Sequence, residues 1–343
     1  MILDYAGRRF RLAATLEGVD ALLVTNPVNV RYLTGLDSSN AAVLVRADGS
    51  ATLATDSRYI EMTKGLDLEV VEDPDVTGRL AAAGAGIEAG HMTVATFNRL
   101  GEGLVPTEQV VERLRMVKDE EEIELLRRAC AISDQAFADI SGNIRPGVTE
   151  REVARVLEAR MVELGADKPA FDSIVASGEN GAIPHHSPGT RELRAGDLVT
   201  LDFGALYQGY HADMTRTVAL GPPAGWQREI YDLVAAAQLA GRQALAPGAS
   251  VRDVDTAARS VVADAGYGEH FRHGLGHGVG LEIHEEPFLG PSRTGRLKDR
   301  VPITVEPGVY LPGRGGVRIE DTLVTREGGP ELLTMTTKEL LVL

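Results

Sequence analysis

Residues 199–217, VTLDFGALYQGYHADMTRT, set one aspartate on each arm of a predicted β-hairpin. Val199, Leu201 and Phe203 alternate with Thr200 and Asp202, the period of a half-buried strand. On the return arm His211, Asp213, Thr215 and Thr217 share one face, and Met214 and Val218 share the other. Asp202 and Asp213 are symmetric about a midpoint between Tyr207 and Gln208, beside the turn glycine Gly209. That reading sets the two carboxylates opposite each other. Like charges directly opposite on paired strands destabilise a sheet, so the arrangement calls for a compensating partner.

A second hairpin repeats the pattern. ITVEPGVYLPGRGGVRIEDTLV, residues 303–324, reads as strand, PGRGG turn and strand, with Glu306 and Glu320 symmetric about Gly313 and Arg318 on the face of Glu320. Four carboxylates converging in a partly buried site are costly unless neutralised by protonation, arginine or metal ions. Metal ions fit best, because the segment between the hairpins supplies nitrogen. FRHGLGHGVGLEIHEEP, residues 271–287, holds His273, His277 and His284 among glycines that let backbone pass close to a site. Four carboxylates and one neutral imidazole balance two divalent cations. A single imidazole among oxygen donors suits manganese, cobalt or catalytic zinc better than structural zinc. Each piece alone has a plainer reading, as a solvated face, a polar turn in HHSP (185–188) or a structural histidine. The glycine run at 274–280 lacks the strand–GxGxxG–helix context of a dinucleotide loop. The joint pattern carries the weight.

The chain of 343 residues is 43% hydrophobic and 25% charged, ordinary for a soluble protein with a real core and room for two domains. Its 35 basic and 50 acidic residues give a net charge of −15, which argues against nucleic acid or an anionic membrane as the main partner. No segment reaches the ~20 apolar residues of a membrane span, and the amino terminus lacks a secretory apolar core. Cys130 is the only cysteine, which excludes an intrachain disulfide and a thiolate zinc cluster. Cytoplasm is the expected location.

The first part of the chain reads as alternating short elements: a helix in RRFRLAATLEG ended by Gly18, a buried strand at 21–25, a hairpin turning at Asp48-Gly49, and a strand in HMTVAT. Near residue 115 the pattern changes. VKDEEEIELLRRACAISDQAFADI is a long amphipathic helix with an acidic first turn, and Thr149 caps a second. A strand-rich stretch from about 170 to 220 follows, then helices at 227–246 and 250–265, then strand and loop to the end. Two helices, strands, two helices, strands suggests an internal duplication in an α+β arrangement.

These residues resemble the pita-bread metallopeptidases, the fold shared by methionine aminopeptidase, aminopeptidase P, prolidase and creatinase. Asp202 in LDFG, Asp213 in HADMTRT, His277 in GHGVG, Glu306 in VEPGVY and Glu320 in RIED match the family's five metal-ligand positions in order and spacing. The likeness implies a carboxy-terminal pita-bread domain over 115–343, with duplicated helices on a curved antiparallel sheet. A smaller α/β creatinase-type domain over 1–114 would precede it, a feature of the Xaa-Pro branch. GLGHGVGLEIHE and GGVRIEDT look closest to the Xaa-Pro dipeptidases (prolidases), with aminopeptidase P second. The resemblance further implies two divalent ions (Mn2+, Co2+ or Zn2+) holding a bridging hydroxide, and a proline-containing dipeptide or short peptide as substrate. Homodimers are common in the family. His185 would contact substrate, with His186 adjacent in the same motif; His273 and His284 would line the substrate side; Arg318 would brace the site; Glu306 would also shuttle a proton. A dipeptidase must in addition recognise the proline carboxylate, for which Arg293, Arg296 and Arg314 are the candidates. A non-catalytic peptide-binding relative is the reading from another class, and the complete ligand set argues against it.

Overall fold

The structure is a computed structural model that describes residues 3–343. It gathers into two compact units, one running to Arg115 and the other from Met116 to Leu343.

The first unit is built on a six-stranded mixed sheet. Its strands are β1 (Ala21–Val24), β2 (Ala41–Arg46), β3 (Ala51–Thr55), β4 (Glu69–Glu72), β5 (Gly86–Glu88) and β6 (Val105–Thr107), in the order β4-β3-β2-β1-β5-β6. The hairpin of β2 and β3 is antiparallel and turns where expected, with Gly49 at φ +85°. Two expectations need correction. The first helix, Tyr5–Ala13, starts on the Asp4 cap and stops well before Gly18. HMTVAT is not a strand: Thr93 caps a helix, Val94–Leu100, by accepting a hydrogen bond from the Thr96 amide at 3.2 Å. A good N-cap outweighs the β-propensity of Val and Thr there.

The second unit has the anticipated order. Its helices span Glu120–Ile140, Glu150–Glu163, Gly225–Ala244 and Val251–Asp264. Asp119 and Thr149 each form a capping box, with Glu122 and Glu152. The strands between the helix pairs are β7 (Lys168–Pro169), β8 (Ile174–Ser177), β9 (Leu198–Phe203), β10 (Ala205–Tyr207), β11 (Tyr210–His211) and β12 (Met214–Ala219). After the second pair come β13 (Gly276–Gly278), β14 (Glu285–Leu289), β15 (Pro302–Val305), β16 (Gly308–Leu311), β17 (Gly315–Arg318), β18 (Asp321–Val324) and β19 (Glu331–Leu332). The named strands of this unit all pair antiparallel, and an isolated bridge from Ala219 to Val342 is parallel. Each helix pair covers its own strands. Phe137, Val153, Leu157 and Met161 pack with Leu201, Phe203 and Met214. Ile230, Val234, Val254 and Ala258 pack with Ile303, Val305, Val317 and Leu323.

The two hairpins differ in how well local symmetry described them. In the first, Tyr207 pairs with Tyr210 and Asp202 with Thr215. Gln208 (φ +48°) and Gly209 (φ +88°) form the turn, as a two-residue I′ loop requires. The centre therefore lies one residue later than the sequence suggested, and Asp213 falls across from Gly204. Because side chains alternate with period two, both aspartates keep the same face but sit as diagonal neighbours. In the second hairpin β16 and β17 turn about Gly313, and β15 and β18 continue the same register. Glu306 and Glu320 lie across from each other in the gap between those two ladders, where their amides turn to Leu275 O (2.8 Å) and Thr215 O (3.1 Å).

Candidate metal centre

Asp202, Asp213, His277, Glu306 and Glu320 all line one cavity of about 340 Å3. His277 reaches it from β13, where glycines flank it for a steric reason. A Cβ at Gly276 would lie 1.9 Å from Thr304 O, and one at Gly278 2.4 Å from Glu286 O. Only glycine admits that approach of three strands.

The His277 ring is held in one tautomer. Its Nδ1–H donates to Gly278 O at 3.0 Å, which leaves Nε2 as the bare nitrogen. That atom stands 3.5 Å from Asp213 Oδ2 and 3.5 Å from Glu306 Oε1. Burial and the neighbouring His284 push the imidazole pKa down to about 4, so the ring itself carries no second proton near neutral pH. A lone pair facing two carboxylate oxygens is repulsive unless a cation lies between them.

The acids carry the same message. Burial first, then the charge of Glu320, raises the carboxyls of Asp213 and Glu306 well above the usual range. Burial and then Asp202 bring Glu320 up to about 8, against a hydrogen bond from Thr215 Oγ1 at 2.7 Å. Asp202 Oδ2 accepts from Arg318 Nη2 at 2.6 Å, but its buried Oδ1 has no hydrogen-bond partner among the described residues. Asp213, His277 and Glu320 offer ligand atoms that all lie within 4.8 Å of one another. An orphaned carboxylate oxygen, a bare imidazole nitrogen and acids that burial burdens with protons are what a cation would satisfy. The donor set fits.

Arg318 holds more than Asp202. Nε donates to Thr215 Oγ1 (3.1 Å), and Nη1 to Tyr310 Oη (2.9 Å) and Pro184 O (3.3 Å). Tyr310 in turn meets His273 Nε2 at 2.9 Å, while His273 Nδ1–H donates to Gly274 O at 2.8 Å. Burial, then Arg318, lowers His273 to about 4, and burial raises Tyr310 to about 12, so both are neutral partners. His273, Tyr310, Arg318 and Arg293 line an adjoining lobe of about 320 Å3 that shares His185, Asp202, His277 and Glu306 with the first. The His284 ring packs edge-on to His277 at 4.4 Å between centroids.

Of the adjacent pair, His185 is exposed and lines both lobes. His186 is tied to the fully buried carboxylate of Glu150 at 2.8 Å. Glu150 also accepts from the Ser177 amide and hydroxyl, Asn180 and the Gly189 amide, and so anchors both ends of the loop carrying His185. Sequence reasoning missed Glu150, Tyr310 and Thr215. Tyr310 had a signal, since 306, 308 and 310 share a strand face. Glu150 had none, because it looks like an ordinary helix-opening acid.

Residues 124–327 match the profile of metallopeptidase family M24. The chain belongs to that family. The M24 match contains all five converging residues, and residues 8–117 match the Creatinase/Prolidase N-terminal domain. The family and fold expected from the sequence are thus borne out. The Xaa-Pro dipeptidase of Pyrococcus furiosus is 39% identical over 334 residues, covering 95% of this chain and 96% of that protein. A solved Xaa-Pro dipeptidase from Bacillus anthracis superposes with a TM-score of 0.93 at 38% identity, covering 99% of each chain. A solved X-Pro aminopeptidase from Thermotoga maritima MSB8 gives 0.89 at 36% identity, covering 96% of this M24 chain and 99% of its own. Among the described residues no helix is long and apolar enough to cross a membrane.

Proposed function

We propose that this M24 peptidase hydrolyses the bond between an amino-terminal residue and proline, as an Xaa-Pro dipeptidase. The observation that carries the metal-dependent chemistry is the bare His277 Nε2, 3.5 Å from two carboxylate oxygens in a cavity lined by three more acids. The names of the Pyrococcus and Bacillus relatives support the substrate class.

Asp202, Asp213, His277, Glu306 and Glu320 would hold two divalent cations, of Mn2+, Co2+ or Zn2+. Such ions neutralise the acids and lower the pKa of a water enough to supply hydroxide near neutral pH. Arg318 orients Asp202, and Thr215 orients Glu320. Glu306 takes the proton of the attacking water on its carboxylate and passes it to the departing proline nitrogen. His284 and His185 offer ring N–H groups to the developing oxyanion. His273 fixes Tyr310 and through it Arg318. Of the three candidate anchors for the proline carboxylate, Arg314 stacks on Trp226 at 4.5 Å and Arg296 donates to Gly248 O. Arg293 alone of the three lines the cavity, its guanidinium 4.9 Å over Phe288, and is assigned that role.

The Thermotoga relative favours the second reading, aminopeptidase action on longer peptides. Rates on Xaa-Pro and Xaa-Pro-Yaa decide between them. A dipeptidase cleaves the dipeptide with the higher kcat/KM, and preferential release of Xaa from the tripeptide would overturn that assignment. Chelation is expected to abolish turnover and to lower Tm, because cations that bind only the folded state at 100 times their Kd add about 2.7 kcal/mol of stability. An unchanged Tm and activity with chelator would favour a metal-free peptide-binding role. The proposal includes a creatinase-type domain over 1–114, a cytoplasmic location and a homodimer, the last measurable by light scattering.

A further inference from the structure

The two lobes of the cavity differ in charge. The lobe containing His273 carries Arg293 and Arg318. The other has partly exposed apolar walls in Phe171, Ile174 and Ile283, and one carboxylate outside the metal centre, Asp172. Asp172 is exposed and makes no hydrogen bond or ion pair among the described residues. Beside it Ser173 lines the same lobe, 2% exposed, and its buried hydroxyl has no hydrogen-bond partner among the described residues. An unpartnered acid in a lobe with apolar walls matches a long cationic side chain. The methylene stem would lie on Phe171, Ile174 and Ile283, and the charged head would reach the carboxylate at the mouth.

A dipeptide ending in a proline carboxylate fits the cationic lobe with that end, which leaves the acidic lobe for the residue before proline. We propose that Asp172 is a specificity-determining residue that selects lysine or arginine at the position before proline. The inference rests on the Xaa-Pro reading above. It gives the lobe a charge preference that the metal centre, common to all substrates, cannot supply.

The test uses the full-length, metal-loaded enzyme and pairs of charged and uncharged substrates, Lys-Pro against norleucine-Pro and Glu-Pro against Gln-Pro. The ratio of kcat/KM values within each pair removes effects common to both members. Asp172→Asn is expected to lower the Lys-Pro to norleucine-Pro ratio by about two- to fivefold, the range of a solvent-accessible ion pair. Asp172→Lys should raise the Glu-Pro to Gln-Pro ratio by a comparable factor. In the wild type the lysine ratio should shrink as salt rises from 0.05 to about 0.5 M, since exposed charges are screened. A uniform loss on all four substrates in both variants would mean that Asp172 serves the backbone ammonium, and would overturn the proposal. Cleavage with unchanged ratios would overturn it alone, leaving the Xaa-Pro reading intact. Failure of the loaded wild type to cleave any Xaa-Pro substrate would overturn both.

Discussion

Replacing Glu306 with alanine is expected to lower kcat by about 10³-fold or more while the protein stays folded. The substitution removes one of the donors to the proposed cations and the group assigned to carry the proton. Loss of positioned acid–base chemistry alone costs about 10²- to 10⁴-fold. The sign of the stability effect is distinctive. Burial and the charge of Glu320 raise the Glu306 pKa above its unfolded value, so above that unfolded value the native state bears the cost of charging it. Chelated Glu306→Ala should therefore melt at or above the temperature of the chelated wild type near neutral pH. Thermal melts, metal content and turnover measured together test this. Activity like the wild type would remove Glu306 from both roles, and a marked fall in the chelated Tm would show that its carboxylate was stabilising after all.

Replacing Arg318 with methionine should have the second largest effect, and it acts in the opposite direction on stability. The guanidinium is 3% exposed and binds Asp202, Thr215, Tyr310 and Pro184 at once. Removing one partner of a buried ion pair leaves the other charge uncompensated, at about 3–5 kcal/mol. For a domain of this size that corresponds to a Tm lower by about 10 °C. Asp202 and Tyr310 would lose their orientation together, so kcat should fall about 10- to 100-fold through misplacement of the groups around the substrate. Lysine is a poor rescue, because it cannot reproduce the fork that spans Asp202 and Tyr310. A variant with the wild-type Tm and kcat would show that Asp202 holds its place without Arg318.

What could be read from sequence was what local rules govern. The PGRGG turn sets a register in which Glu306 and Glu320 mirror each other about Gly313, and β15–β18 keep it. Capping chemistry places the helices that begin after Asp119 and Thr149. The acids and His277 were legible as one set because mirrored carboxylates need a counter-charge, a requirement of electrostatics that any fold must meet. Even local rules erred where a residue broke its usual preference. Gln208 takes a positive φ that the sequence reading left to glycine, and this moves the partner of Asp202 from Asp213 to Thr215.

Only the tertiary structure decided which groups meet. Arg318 and Asp202 are 116 residues apart, and Glu150 and His186 are 36 apart, so no periodicity links them. It likewise decided that Arg293 rather than Arg314 faces the cavity, and that Asp172 stands in the other lobe. The physical reason is that burial and proximity set the charge state of an acid and the tautomer of a histidine. Both depend on side chains brought together by packing, which chain order alone does not contain.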